Sequence, residues 1–411
     1  MKIGKNDWTN RIISLMLCFA MIFSSAVPAN AESFLPSSGR TDGGKAAEVS
    51  TETKSTTASS IRGVLSSAAT GAGIRYSFEG EGKENSPYLI NSEADLRALA
   101  TEVNNDDDGY YSDKYFKMKS GIMNLTKDVE WVPIGTQDNP FTGYFDGNSG
   151  TVRYLTISGT TSASAINYQS FFGYNKGIIK NITVRSANIV SNADYVGGIA
   201  GYSEGLIQGC TFYSDSTVKG KDYVGGIAGY YIPEGKEPGN SLKNQGTVTG
   251  SKNVGGIFGA ISGDVEIKDT TFSNSKNVVG KENVGGMIGY AEDIEINLSK
   301  DTYCSGDVES DNNAGGFIGF AKNFTLNNSA VTYSTGSIIS KNNAGGIIGY
   351  GSGSINIASN ARRSDGTIKA ECNAGGIAGK IDTAMGEKSV IHKAAIYDSS
   401  IISADENAGG I

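Results

Sequence analysis

The chain is poor in the residues on which most enzymes and disulfide scaffolds depend. It has one histidine, His392, and four cysteines, Cys18, Cys210, Cys304 and Cys372, among 411 residues. No Cys-x-x-Cys pair occurs, and the last three cysteines lie 94 and 68 residues apart. That spacing argues against a disulfide framework or a zinc site and predicts small buried thiols instead. The histidine does not stand in a His-Glu-x-x-His pair, so this stretch is not a zinc peptidase of that kind. Walker A and a nucleophile elbow between strand and helix are also missing. Prolines number only 7 and glycine follows no triplet period, which excludes collagen. A positive stripe is absent too. The formal charge is −8 with acidic and basic residues interspersed, so nucleic acid has no electrostatic footprint here.

Long apolar runs are confined to the N-terminus. Lys2, Lys5 and Arg11 precede the run Ile12 to Val27, and Ala29-Asn30-Ala31 follows it. This is the order of an export signal, with cleavage expected after Ala31. The run is short for a bilayer span, so a secreted or cell-surface protein without a membrane span after cleavage is expected. Cys18, between Leu17 and Phe19, is no lipid-anchor cysteine. Residues 32–73 are rich in Ser, Thr, Ala and Gly without apolar periodicity and read as a flexible linker.

Residues 74–160 read as an N-terminal capping segment. Pro87 to Ile90 is a short strand. Ser92-Glu93-Ala94-Asp95 resembles a capping box that opens a helix with Leu96, Leu99, Ala100 and Val103 on one face. Strand-like runs follow at Tyr115–Met118, Trp131–Ile134, Gly143–Phe145 and Val152–Ile157. A helix placed ahead of a repeat array covers the open end of its core.

What the chain has in abundance is glycine, 56 residues, roughly twice the usual share. Over 161–411 it recurs in a marker: a Gly pair, two apolar residues, a further Gly and usually an aromatic. The pairs are Gly197-Gly198, Gly225-Gly226, Gly255-Gly256, Gly285-Gly286, Gly315-Gly316, Gly345-Gly346 and Gly375-Gly376, with an eighth marker begun at Gly409. Successive first glycines are separated by 28, 30, 30, 30, 30, 30 and 34 residues. Equal gaps of that size dictate a stacked array of identical units. Alternating apolar residues after the marker, such as Ile294, Ile296 and Leu298, and a Gly-x-apolar step before the next, such as Gly306-Asp307-Val308, are strand signals. No unit holds an amphipathic helical window, so helical and leucine-rich solenoids are excluded. The expected fold is all-β: a right-handed parallel β-helix, or solenoid, of ~30-residue glycine-rich coils behind an N-terminal α/β cap.

Glycine is needed where φ is positive or where neighbouring coils approach closely. Asn stands two residues ahead of the pair at Asn253, Asn283, Asn313, Asn343 and Asn373, with Tyr195 and Tyr223 in the first two units. Such a column either stacks amide on amide along the array or supplies left-handed turn residues. Both roles are structural. Asp106-Asp107-Asp108 do not fit an EF-hand loop and read as a solvated acidic turn. Tyr110, Tyr111 and Trp131 have the chemistry to stack on sugar rings, and core packing explains them as readily.

The marker Gly-Gly-Ile-Ala-Gly-Tyr resembles the GLUG motif of bacterial surface proteins over about residues 170 to 411. Asn85 to Ile90, Asp95 to Ala100, Trp131 to Gly135 and Phe141 to Asn148 resemble the segment that commonly precedes such repeats. The resemblance implies a spacer or adhesive stalk, of the kind also found beside some immunoglobulin A peptidases. It carries over no catalytic residue, metal or cofactor. The chain stops inside a unit at Ile411, so a longer protein is expected. The reading is a secreted or surface structural and adhesive repeat protein, non-catalytic in this region. Its partner would be a host glycan, a matrix protein or a cell-wall polymer. The alternatives are a carbohydrate-binding or polysaccharide-cleaving β-helix, or the stalk of a larger surface enzyme such as a peptidase. A carbohydrate-binding or carbohydrate-cleaving β-helix needs a row of acidic or aromatic residues in register on one coil face, and no acidic residue recurs in a fixed column of these units, which counts against it.

Overall fold

The computed structural model describes residues 75–159, 167–232, 241–268, 270–298, 300–328, 331–358, 360–363, 366–383, 388–392 and 401–409. The expected export signal at 1–31 and linker at 32–73 lie outside the described residues.

One repeat forms one coil. In a representative unit the chain runs through strands Glu282–Gly285, Ile288–Leu298, Thr302–Cys304 and Val308–Ser310, then begins the next circuit at Asn313. Each strand pairs in parallel with its equivalent one repeat later: Val284 with Ala314, Ile288 with Ile318, Cys304 with Ser334, Val308 with Ile338. Four parallel sheets of 12, 9, 9 and 8 strands result among the described residues. The fold is a parallel β-solenoid of about nine turns with little helix.

The core is a set of columns, because the sequence period and the coil length coincide. Val248, Val278, Val308, Ile338 and Ile368 face one another through successive pairings. All five are buried. In the strand Ile288–Leu298 the period-two alternation sends Ile294, Ile296 and Leu298 inward. Burying each such side chain stabilises by about 1.5–3 kcal/mol, an upper figure because the unfolded chain already hides part of this surface.

The marker glycines are there for close approach. Their φ values fall outside the left-handed region. A Cβ on Gly226 would sit on the carbonyl oxygen of Gly256 in the next coil and against the Asn244 side chain, and one on Gly229 would lie 2.6 Å from the carbonyl oxygens of Gly201 and Tyr223. Positive φ falls instead on the residue two before the pair: 60° at Tyr195, 57° at Tyr223, and 56° at Asn253 and Asn283.

Helix α1 spans Glu93–Asn104 and opens on a capping box formed by Ser92 and Asp95. Its buried face is Leu96, Leu99, Ala100 and Val103. Asn104 ties its C-terminal end to the coil below, donating to the Pro133 carbonyl at 2.9 Å and accepting from the Gly135 amide at 2.7 Å. The strands Tyr88–Ile90, Tyr115–Met118 and Tyr144–Arg153 belong to the same 12-stranded sheet as the repeats. The run Trp131–Ile134 forms no strand: Glu130 and Ile134 make only isolated bridges, to Thr156 and Phe172. Pro133 lies inside that run and has no N–H to give to a ladder. The runs expected at Gly143–Phe145 and Val152–Ile157 are redrawn as strands Tyr144–Arg153 and Thr156–Ser158.

Candidate functional site

The residues two before each glycine pair and the aromatics that end each marker form two columns on either side of one corner of the coil. In the first coils tyrosines fill both. Tyr168, Tyr195 and Tyr223 stack with centroids 5.3 and 4.9 Å apart. Beside them Tyr174, Tyr202 and Tyr230 stack at 4.7 and 5.4 Å. The two columns meet edge to face, as at Tyr195 and Tyr202, 5.6 Å apart and tilted 82°. Aromatic rings prefer these offset and edge-on arrangements because of their quadrupoles.

From the third coil the first column changes from Tyr to Asn, at Asn253, Asn283 and Asn313. The second column loses one ring: Tyr230 pairs with Ala260, which pairs with Tyr290. It then resumes with Tyr290, Phe320 and Tyr350 at spacings of 5.4 and 5.2 Å. Where tyrosines had filled the corner, a groove of about 530 Å³ opens. Tyr223 and Tyr230 close one end, Tyr290, Phe320 and Tyr350 form a wall, and the asparagines form the floor.

The floor is a chain of amides. Asn283 donates from Nδ2 to Oδ1 of Asn253 at 2.9 Å, and Asn313, Asn343 and Asn373 each donate one coil back at 2.8 Å. Asn253 is the last acceptor, and its own Nδ2 has no side-chain acceptor in the coil of Tyr223. The amide ladder runs from Asn253 to Asn407, and left-handed backbone occurs at Asn253 and Asn283.

The charges around the groove are paired. Lys252 meets Glu282 at 3.0 Å and Lys322 meets Glu292 at 2.6 Å. Tyr290 also donates to Glu292 at 2.6 Å. The Lys322 ammonium and the Tyr290 hydroxyl hold the Glu292 carboxyl below its ordinary range, against the opposing effect of burial. Burial pushes the phenols of Tyr195 and Tyr202, in the filled part of the corner, up to about 12.

The other residues singled out in the sequence fall elsewhere. Trp131 and Tyr111 are in the core, with the Trp131 indole N–H on the Phe171 carbonyl at 3.0 Å. Tyr110 stays exposed under the Arg75 guanidinium. Asp106 accepts the Tyr110 and Tyr111 amides, Asp107 meets Asn139 and Asp108 pairs with Arg75. These contacts describe an internally satisfied turn. Among the described residues no cluster of His, Cys, Asp and Glu is arranged to hold a metal ion. Cys210 and Cys304 are buried, and burial pushes the Cys210 thiol up to about 12. His392 ends the strand Val390–His392, paired with Ala358.

A parallel β-solenoid with a corner of stacked aromatic and asparagine residues is the class that these features define. No family model matches the chain. A segment of 131 residues, 30% of this chain, is 30% identical to halomucin of Haloquadratum walsbyi and covers 1% of that protein. A crystal structure from Bacteroides ovatus, of a protein provisionally named an immunoglobulin A1 protease, superposes with a TM-score of 0.50 at 21% identity. It covers 64% of this chain and 79% of the other. At that identity the likeness is one of fold.

Proposed function

We propose that this chain is an exported bacterial surface protein of the GLUG-repeat type, whose solenoid is a structural and adhesive stalk with no catalytic role of its own. The observation that carries the reading is the column arrangement itself. The same residues face one another coil after coil, so the exposed surface is one short pattern displayed many times. That design suits spacing and repeated weak contact rather than a single reactive centre. The export signal in the sequence and the similarity of one segment to halomucin support a place outside the cell. The protease name of the structural neighbour comes with the fold alone and transfers no reacting group.

Expression of the full chain in a bacterial host tests this. Intact cells are labelled with an impermeant amine reagent, and the N-terminus of the mature protein is sequenced. The expected result is labelling on intact cells and a mature chain beginning at Glu32. An uncleaved chain retained in the cytoplasm, or cleavage of immunoglobulin A by the purified chain, overturns the proposal.

A further inference from the structure

The corner groove has a built-in template for its occupant. In the first coils Tyr195 and Tyr223 lie in this corner, stacked along the axis at 4.9 Å, with Tyr195 edge-on against Tyr202 and Tyr223 tilted against Tyr230. Past Tyr223 the corner keeps its aromatic wall and loses its rings. Tyr290, Phe320 and Tyr350 are half-buried, so each retains an open portion facing that space. A ring supplied from outside would restore the packing that the tyrosines provide one coil earlier.

We infer that this groove is a carbohydrate-binding site for a neutral chain of pyranose rings lying along the solenoid axis. Three features select that chemistry. The wall is aromatic, and the C–H faces of a sugar pack on such surfaces as apolar area. The floor ends in Asn253, whose Oδ1 accepts from Asn283 and whose Nδ2 is left to donate to a sugar hydroxyl oxygen. The ion pairs Lys252–Glu282 and Lys322–Glu292 leave the groove without net charge, so it offers a polyanion nothing. Its volume of about 530 Å³ lies in the range of small-ligand sites. From Asn253 to Asn313 the floor spans two intervals of about 4.8 Å, about 10 Å in all, room for roughly two rings. The second column carries no ring at Ala260, between Tyr230 and Tyr290.

This inference rests on the adhesive reading above and names its ligand class. The test is calorimetric titration of the leader-free full chain with cellohexaose and mannohexaose, with polygalacturonate as the polyanionic comparison. Saturable binding of at least one neutral hexasaccharide is expected. Tyr290→Ala removes one platform and weakens it by about tenfold. Asn253→Tyr extends the column of Tyr195 and Tyr223 by one rung into the groove and abolishes binding. Tyrosine is accommodated at the equivalent positions 195 and 223, so this variant keeps the fold, as circular dichroism would verify. Binding by neither neutral sugar, binding by polygalacturonate alone, or sugar binding indifferent to both variants overturns the inference. Cell-surface labelling and cleavage at Ala31 are read separately. A chain that reaches the surface and binds no sugar sinks this inference and leaves the surface reading standing.

Discussion

The Asn283 carboxamide donates to the Asn253 carboxamide at 2.9 Å across one complete coil, and the next rung, Asn313, donates to Asn283 at 2.8 Å. Asn283 therefore stands between two bonds. Replacing it with Ala leaves the Asn253 oxygen and the Asn313 nitrogen buried and unpaired, at a cost of about 2 kcal/mol or more. The exposed Asn407 side chain makes one such bond, donating to Asn373 at 3.0 Å. Asn407→Ala should cost about 0.5 kcal/mol. Urea unfolding midpoints measure both, and equal losses at the two positions would contradict a stacked amide chain.

The glycines separate two kinds of strain. Gly226→Ala drives a methyl group onto the Gly256 carbonyl and the Asn244 side chain, both held by the neighbouring coils. The expected loss is about 3 kcal/mol, with reduced soluble yield. Gly121 has a φ of 97° and open space where a Cβ would go. Gly121→Ala meets only backbone strain and should cost about 1 kcal/mol. The comparison of unfolding midpoints distinguishes collision from strain.

Alkaline pH should loosen the filled part of the corner. Burial, aided by neighbouring acidic groups and phenols, lifts Tyr195 and Tyr202 from the ordinary 10 to about 12. The unfolded chain thus ionises first, and the folded state binds more protons between those values. The associated stability is intact below pH 10 and is lost as pH rises towards 12 and beyond. Melting temperature followed against pH, with tyrosinate absorbance as a second signal, should fall through that window. Tyr195→Phe together with Tyr202→Phe should flatten the fall.

Thiol chemistry reports on burial. Cys210 and Cys304 are 0% and 1% exposed, and Cys372 is partly open. Burial and the carboxylates of Glu406 and Glu371 raise the Cys372 thiol. An aromatic disulfide reagent at mildly alkaline pH should therefore modify one thiol of the leader-free native chain, slowly, and three after denaturation. Cys372→Ser should remove the native reaction.

The coil was legible because one signal, the 30-residue marker period, sets the number of rungs, the core columns and the register together. Helix α1 was legible for a local reason: Ser92 and Asp95 cap it, and Leu96, Leu99, Ala100 and Val103 share a face. The short strand Thr302–Cys304 carries too little alternation to announce itself, and tertiary pairing with Ser273–Asn274 and Thr332–Ser334 creates it. The groove was written in two places at once. The change from Tyr223 to Asn253 and the loss of an aromatic at Ala260 both stand in the sequence. That the two columns border one cavity depends on which sides of a corner they occupy, and no linear spacing reveals that. The same blindness made Trp131 and Tyr111 look like candidate sugar platforms, although both are needed in the core.

Ladder, wall and groove all exist because one repeat closes one coil. Thr217 and Thr247 test this most directly, since they are paired across adjacent strands with hydroxyls 3.1 Å apart on the surface. Thr217→Cys combined with Thr247→Cys should form a disulfide in the folded chain on mild oxidation, as adjacent rungs lie within reach of the bond. Thr217→Cys combined with Thr271→Cys, which places the second thiol in a different sheet, should not. A fast intramolecular disulfide in the first pair alone is the predicted result. Its absence there, or equal cross-linking in both pairs, would contradict the solenoid register and every site built upon it.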